Sequence, residues 1–378
     1  MEKNAVYVND YIRTYTLKDY AAGGIPQPIA LDCSLGVNPE GLPPAVTAKL
    51  KTIDQDAIKQ YPHDETVLDA IAAYYKNQSP DLAWLNRDYM FLGNGSTDVL
   101  HNLNVLCLTR GKKVLGHGPQ FTAYIDQAAC LGAVYEYYAM ERSNNYKFEA
   151  DQYLAHMNDT YSLFIVENPN NPTGQVIELA DIEKIAAKAA SLHTILIVDE
   201  AYGDYMPLAN SAINLVPQYP NIVVTRTFSK GFGLAGIRLG YMITSSGAVN
   251  DTIKQFKKVE IQFNGNGLAR LLAIAFLENH SNIPNLQQIK ADKSAFTAVI
   301  TQFKLAFTAA TVPIMTVYYE GPDRDFDLQT WLYDTAGLWT VSCASYDGLD
   351  KNAVRIMLPR TSQIETLKAM LVKSQSLL

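Results

Sequence analysis

Between about Met90 and about Ser245, short apolar runs alternate with stretches whose apolar positions recur at helical spacing. The runs are Met90-Phe91-Leu92, Lys113-Val114-Leu115, Ala133 to Tyr138, Leu163-Phe164-Ile165-Val166, Thr194 to Val198, Ile222-Val223-Val224 and Leu239 to Ile243. Helices are predicted from Thr97 and from about Phe121. Near-continuous apolar runs of this length, separated by helical periods, are the mark of strands buried on both faces. The expected fold class is α/β, with a large domain in which a mostly parallel sheet lies between helices. Ligands of such sheets gather at the carboxyl ends of the strands, where most polar clusters of this chain also fall.

Beyond Ala248 the pattern changes. Long helical stretches, about Val249 to His280 and Asn285 to Phe303, precede short strands near Ile314 to Tyr319, Leu338 to Ser342 and Val354 to Leu358, and a final helix starts at Gln363. This predicts a second, smaller α+β domain. The expected division is an N-terminal arm over 1–35 that packs with the small domain, a large domain over 36–250 and a small domain over 251–378. Gly23-Gly24-Ile25-Pro26 reads as a breaker in the arm.

A chain of 378 residues, 48% hydrophobic and 18% charged, suits a soluble two-domain enzyme. A net charge of −7 without a long basic run argues against a nucleic-acid partner or an anionic membrane, so any phosphate site must be local. Cys33, Cys107, Cys130 and Cys343 are too scattered for a zinc site or a disulfide scaffold, and the six histidines show no metal spacing, so no metal is expected. Met1 to Asp10 carries acidic residues and no apolar core, and no run is long enough to span a membrane, so a cytoplasmic location is expected.

Four clusters carry candidate chemistry. In Thr225 to Arg238, Lys230 stands among hydroxyls just past an apolar run, with Arg238 eight residues on; such a lysine can form an imine with an aldehyde while hydroxyls and arginine hold a phosphate. Gly93-Asn94-Gly95-Ser96-Thr97-Asp98, between strand and helix, is either a phosphate cup at a helix N-terminus or an ordinary cap. Asn168-Pro169-Asn170-Asn171-Pro172-Thr173-Gly174 fixes an extended path whose amides need partners, in a ligand or within a polar turn. Asp199-Glu200-Ala201-Tyr202 ends the apolar run Ile195 to Val198, and Asp199 can serve a protonated ring nitrogen, a metal or a structural salt bridge. No phosphate-binding Gly-x-x-x-x-Gly-Lys-Ser/Thr loop accompanies it. Gly231-x-Gly233-x-x-Gly236 has dinucleotide-fingerprint spacing but precedes a strand-like run, and it is read as a turn. Arg355, in the run Val354 to Leu358, suits a substrate carboxylate or a protein salt bridge equally.

With Asn-Asn-Pro-Thr-Gly, Asp-Glu-Ala-Tyr, Ser-Lys and the following arginine in this order, the chain resembles the fold-type-I pyridoxal phosphate-dependent enzymes of the class I/II aminotransferase family, from about Asp32 to Arg360. Asp32 to Pro39 and Gln60-Tyr61-Pro62 resemble the branch that holds histidinol-phosphate aminotransferase and threonine-phosphate decarboxylase. The resemblance implies pyridoxal 5′-phosphate as cofactor, bound to Lys230 as a Schiff base, with Lys230 also the proton shuttle of a quinonoid intermediate. It implies Asp199 on the ring nitrogen, Asn171 and Tyr202 on the ring oxygen, and Phe121 stacked on the ring. Gly95, Ser96, Thr97, Thr227, Ser229 and Arg238 would hold the phosphate. Asn38 and Asn171 would lie at the substrate site, and Arg355 would take the substrate α-carboxylate. Tyr61 would reach the phosphate in the other subunit, which implies a homodimer with shared active sites.

One departure bears on the substrate. Aligned through Cys343 and Gly348-Leu349, Val341 stands where the resemblance calls for an arginine that helps bind a phosphorylated side chain. A phosphorylated substrate loses a charge partner there. The resemblance implies an aminotransferase acting on an α-amino acid by default. Its alternatives are an oxidase or desaturase of a cationic amino acid such as L-arginine, and a decarboxylase of the threonine-phosphate type. A regulator fused to a DNA-binding domain finds no helix-turn-helix extension or basic patch here.

Overall fold

A computed structural model describes residues 7–18, 26–63, 65–245, 251–280, 283–308, 311–323 and 325–374. Most of the expected Gly23-to-Pro26 breaker, the first six residues and the start of the helical pattern at 249–250 lie outside the described residues. In chain order the strands are β1 (Leu31–Asp32), β2 (Met90–Gly93), β3 (Lys113–Gly118), β4 (Val134–Ala139), β5 (Tyr161–Glu167), β6 (Leu196–Asp199), β7 (Ile222–Thr227), β8 (Gly240–Thr244), β9 (Leu305–Phe307), β10 (Ile314–Tyr319), β11 (Leu338–Trp339), β12 (Val341–Ser342) and β13 (Ala353–Met357).

Seven of them form one sheet in the order β2-β8-β7-β6-β5-β3-β4. All run parallel except β8, which is antiparallel to both β2 and β7. Side chains of a strand alternate between faces, and the core follows that alternation. Phe164, Val166, Leu196, Val198, Ile222 and Val224 pack on one face with the helices Thr66–Gln78, Leu179–Ser191 and Gly267–Leu277. Leu163, Ile165, Ile197, Val223 and Met242 pack on the other with the helices Ser96–Cys107 and Thr122–Cys130.

A four-stranded antiparallel sheet, β12-β13-β10-β9, has a core of its own, built on Phe296, Ile300, Met315, Val317, Val354 and Ile356. Leu31 and Cys33 belong to that core, and β1 pairs in parallel with β11 through Leu31 and Leu338. The helix Gly267–Leu277 sets Ala269, Leu272 and Phe276 in the core under the large sheet, so residues beyond position 250 build both units.

Two elements differ from the sequence pattern. The single helix expected over Val249 to His280 is two, Asp251–Phe256 and Gly267–Leu277. Left-handed backbone at Phe263 (φ 58°) and Gly265 (φ 88°) turns the chain between them, and the Asn266 side chain caps the second helix through the amides of Leu268 and Ala269. The run Leu338 to Ser342 is also two strands, because β11 pairs with β1 while β12 pairs with β13. One short run serves two sheets, and buried Thr340 lies between its halves. No helix among the described residues is long and apolar enough to cross a membrane.

Candidate active site

Strands β5 and β6 end in Glu167 and Asp199, which are neighbours in register, and Asp199 faces Thr225 on β7. These ends border a cavity of about 210 Å³. Lys230, Asp199, Tyr202 and Asn171 line it, with Ser96, Thr97, Thr227, Ser229 and Arg238 grouped together, and Phe121 and Arg355 complete the wall.

The hydroxyl group of residues is built on the helix Ser96–Cys107. Gly95 precedes this helix at φ 83° and offers no capping side chain, so the positive helix end faces the cavity. A Cβ at Gly95 would lie 2.7 Å from Arg238 Nη2, so only glycine admits the guanidinium there. Arg238 Nη1 donates to Ser229 Oγ (3.2 Å) and to the Ala235 carbonyl (3.1 Å), and Thr227 Oγ1 bonds Ser229 Oγ at 3.0 Å. Two hydroxyls, one guanidinium and a helix N-terminus thus converge on one spot, a donor set suited to a phosphate. The Gly231-x-Gly233-x-x-Gly236 stretch is a turn followed by a 3₁₀ turn at Ala235–Ile237 and then β8, with no crossover helix.

Asp199 is buried, and both of its hydrogen bonds fall on Oδ1, from Thr225 Oγ1 (2.7 Å) and from the Ala201 N–H (3.2 Å). Burial lifts its carboxyl to about 6, against the opposing pull of those bonds and of the Lys230 charge. The Lys230 ammonium lies 5.4 Å from the centre of the Tyr202 ring. Its main-chain carbonyl accepts from the Asn38 N–H (2.9 Å), the Gly233 N–H (3.1 Å) and Tyr205 Oη (3.2 Å), which fixes the loop that carries it. The Tyr202 hydroxyl is buried and has no hydrogen-bond partner within the protein, a state that costs free energy unless something in the cavity bonds it. A Cβ at Gly36 would lie 2.3 Å from that hydroxyl and 3.3 Å from Lys230 Nζ, so a glycine keeps this corner open.

Arg355 reaches the cavity from β13. Its Nη1 donates to Asn171 Oδ1 (3.2 Å) and its Nη2 to the Ser34 carbonyl (2.6 Å), and Tyr346 Oη donates to the same Asn171 oxygen at 3.5 Å. Directly opposite Arg355 in the sheet stand Thr316 on β10 and Val341 on β12, both buried and neither charged.

Three expected residues do not line the cavity: Gly95, which stands against the Arg238 guanidinium, Asn38 and Tyr61. Asn38 braces the lysine loop instead, through Nδ2 to the Gly231 carbonyl at 2.9 Å. Tyr61 is 68% exposed and packs on Phe263 at 4.8 Å. Conversely, Glu167 lines the cavity and was not expected. Its Oε1 accepts the Phe121 N–H (2.8 Å), and its Oε2 accepts Asn170 Nδ2 (2.9 Å) and the Asn171 N–H (3.1 Å). Burial, then the nearby Asp199, pushes its carboxyl well above the usual range. The Glu167 N–H donates to His117 Nε2 (3.0 Å), which leaves the proton of the neutral imidazole on Nδ1, facing the Pro119 carbonyl at 3.2 Å. Burial brings His117 down to about 4. The one signal for Glu167 in the sequence is an acid closing the apolar run that ends at Val166.

Behind the cavity, Arg226 pairs with Glu200 (2.9 Å) and Asp204 (3.1 Å), and all three side chains are buried. Nothing in the spacing of these residues announces that triad, because its members meet only across β6 and β7.

Comparison with known proteins places the chain. The family described as aminotransferase class I and II matches residues 29–370. A histidinol-phosphate aminotransferase of Thermoanaerobacter pseudethanolicus is 29% identical over 263 residues, 69% of each chain. The crystal structure of the histidinol-phosphate aminotransferase from Clostridium acetobutylicum superposes with a TM-score of 0.77 at 21% identity, covering 92% of this chain and 100% of that one. That of L-threonine-O-3-phosphate decarboxylase from Porphyromonas gingivalis gives 0.72 at 16% identity, over 90% and 98%. Both structural likenesses are likenesses of fold. The family match spans nearly the whole chain, α/β fold and cavity included, and the chain belongs to the class I and II aminotransferases, enzymes that use pyridoxal 5′-phosphate.

Proposed function

We propose that the cavity binds pyridoxal 5′-phosphate through Lys230 and transfers the amino group of an α-amino acid whose carboxylate lies against Arg355. The observation that carries this reading is the meeting in one cavity of the Lys230 amine, the buried Asp199 and the unpartnered Tyr202 hydroxyl beside a phosphate-shaped donor set. These residues fit the cofactor: the helix end with Ser96, Thr97, Ser229, Thr227 and Arg238 suits its phosphate, and Tyr202 with Asn171 suits its ring oxygen. Phe121 supplies an aromatic face for the ring.

Pyridoxal phosphate supplies an aldehyde and an electron-withdrawing ring that stabilises negative charge at the substrate α-carbon. The protein does the rest. Asp199, when ionised, would hold the ring nitrogen of the bound cofactor in its protonated form. Lys230 removes and returns the proton at the α-carbon, and the clasp of three donors on its carbonyl sets its base of motion. Arg355, already aligned by Asn171 and Ser34, orients the substrate by its carboxylate.

The apolar Val341 opposite Arg355 supports a substrate without a side-chain phosphate. The exposed aromatic pair Tyr61 and Phe263, 4.8 Å apart, supports a homodimer in which Tyr61 would reach the other subunit's cavity. Four free cysteines fit a reducing, cytoplasmic setting.

The test is to incubate the cofactor-loaded protein with single amino acids and follow the cofactor spectrum, oxygen and carbon dioxide together. Conversion of bound pyridoxal phosphate to pyridoxamine phosphate, reversed by a keto acid, is the expected outcome. Oxygen loss with L-arginine and no need for a keto acid would replace transfer by oxidation, and carbon dioxide release would replace it by decarboxylation.

A further inference from the structure

None of these roles uses Glu167, yet it is 3% exposed and its carboxyl forms part of the cavity wall. Its three hydrogen-bond donors come from two different loops. Phe121 belongs to the loop after β3, and Asn170 and Asn171 belong to the turn after β5. The two loops also meet behind the carboxyl, where the Pro119 carbonyl accepts from Asn170 Nδ2 (3.0 Å) and faces His117 Nδ1. One acidic group is therefore the shared acceptor that ties the Phe121 side of the cavity to the Asn171 side.

We propose that Glu167 is a positioning residue whose single carboxyl sets the spacing between the Phe121 loop and the Asn170-Asn171 turn, and through that spacing the fit of the cofactor ring. The inference rests on the reading of Phe121 and Asn171 as ring contacts. A buried acid is costly to keep, and three N–H donors on its two oxygens offset that cost in a way a neutral side chain would not match. Glutamine has one acceptor oxygen and would turn its NH₂ group toward a backbone N–H, so it satisfies one loop and repels the other. Aspartate restores both acceptors but is one methylene short of spanning them.

The experiment uses Glu167→Gln and Glu167→Asp beside the parent protein. Three quantities are measured: the dissociation constant for pyridoxal phosphate, the midpoint of the bound cofactor's absorbance against pH, and thermal unfolding of the cofactor-free protein. Both variants are expected to bind about tenfold more weakly, the scale of one lost hydrogen bond to a charged group, and to move the absorbance midpoint. Aspartate should resemble glutamine, and it keeps the test open if the glutamine variant does not fold. Three results overturn the proposal: parental binding and midpoint in Glu167→Gln, full recovery of both in Glu167→Asp, or a change confined to thermal unfolding. Failure of the underlying reading looks different: a parent that takes up no pyridoxal phosphate, or Phe121→Ala and Asn171→Ala variants that bind it as the parent does.

Discussion

The ends of β6 and β7 carry two polar clusters, one on each face of the same sheet. Asp199, Thr225 and Thr227 continue the face of Ile197 and Val223, and Glu200 and Arg226 continue the face of Val198 and Val224. The second cluster is ion-paired within itself, although Arg226 Nε has no hydrogen-bond partner. Arg226 sits 2.9 Å from Glu200 and 3.1 Å from Asp204, with Ser211 Oγ bonding both Glu200 (2.6 Å) and Arg226 (3.1 Å). The first cluster opens on a cavity and leaves the Tyr202 hydroxyl without a partner in the protein. Neighbouring residues of one sequence thus meet different fates because strand side chains alternate: the charges of one face pair with each other, and the other face leaves a hydroxyl at a cavity for a ligand.

The two faces should differ most at Lys230. Lys230→Ala should lower turnover by about 10⁴-fold, the upper range for a positioned general base, while the cofactor-free protein unfolds at the parental temperature. Loss of folding with this variant would give the open cluster a structural role it is not assigned.

Arg226→Met should do the reverse. It strands two buried carboxyls and should cost about 3–5 kcal/mol of unfolding free energy, read from denaturant midpoints. A near-parental stability would mean that the ion-paired cluster anchors nothing. The triad also closes beneath the lysine loop, where a Cβ at Gly231 would lie 2.4 Å from Asp204 Cβ, so activity losses in this variant should follow its unfolding.

Arg238→Ala sharpens the ligand side of the contrast. Loss of one charge-assisted donor should weaken pyridoxal phosphate binding roughly 10–100-fold, measured by absorbance titration, and leave cofactor-free stability in place. Free inorganic phosphate should compete with the cofactor in the parent and far less in the variant.

The smallest effect concerns acidity. Asp199 titrates near 6 in the folded chain against an ordinary 3.8, so the folded state binds its proton more tightly than the unfolded state. Its contribution to stability therefore falls as pH rises from about 4 to about 6, and the penalty is complete above that window. Asp204, also near 6, adds a second component of the same sign. Asp199→Asn should make the cofactor-free protein more stable at pH 8 and its stability shallower against pH between 4 and 6. Arg226→Met should instead destabilise throughout, and a common response of the two variants would erase the distinction between the faces.

Much of this was legible in the sequence. Alternating apolar runs foretold the parallel sheet, and motif order foretold which side chains gather at its carboxyl edge, from Ser96 through Lys230 to Arg355. What stayed hidden was pairwise. Glu167 reads as the last residue of a strand until Phe121 and Asn171 are seen to share it, and the Glu200-Arg226-Asp204 triad needs two strands in register. The break between Asp251–Phe256 and Gly267–Leu277 did have a local signal, Asn264-Gly265-Asn266-Gly267, but apolar spacing on either side outweighed it. The split of Leu338 to Ser342 had none, since the choice of sheet is made by β1 and β13, far away in the chain.

On the proposed reading, the amine of Lys230 carries the cofactor. Loading the protein with pyridoxal phosphate, reducing it with borohydride and mapping the modified peptide by mass spectrometry tests this most directly. One pyridoxyl group per chain is expected, on Lys230, and none in Lys230→Ala. Modification spread over surface lysines, or equal labelling of the variant, would contradict it.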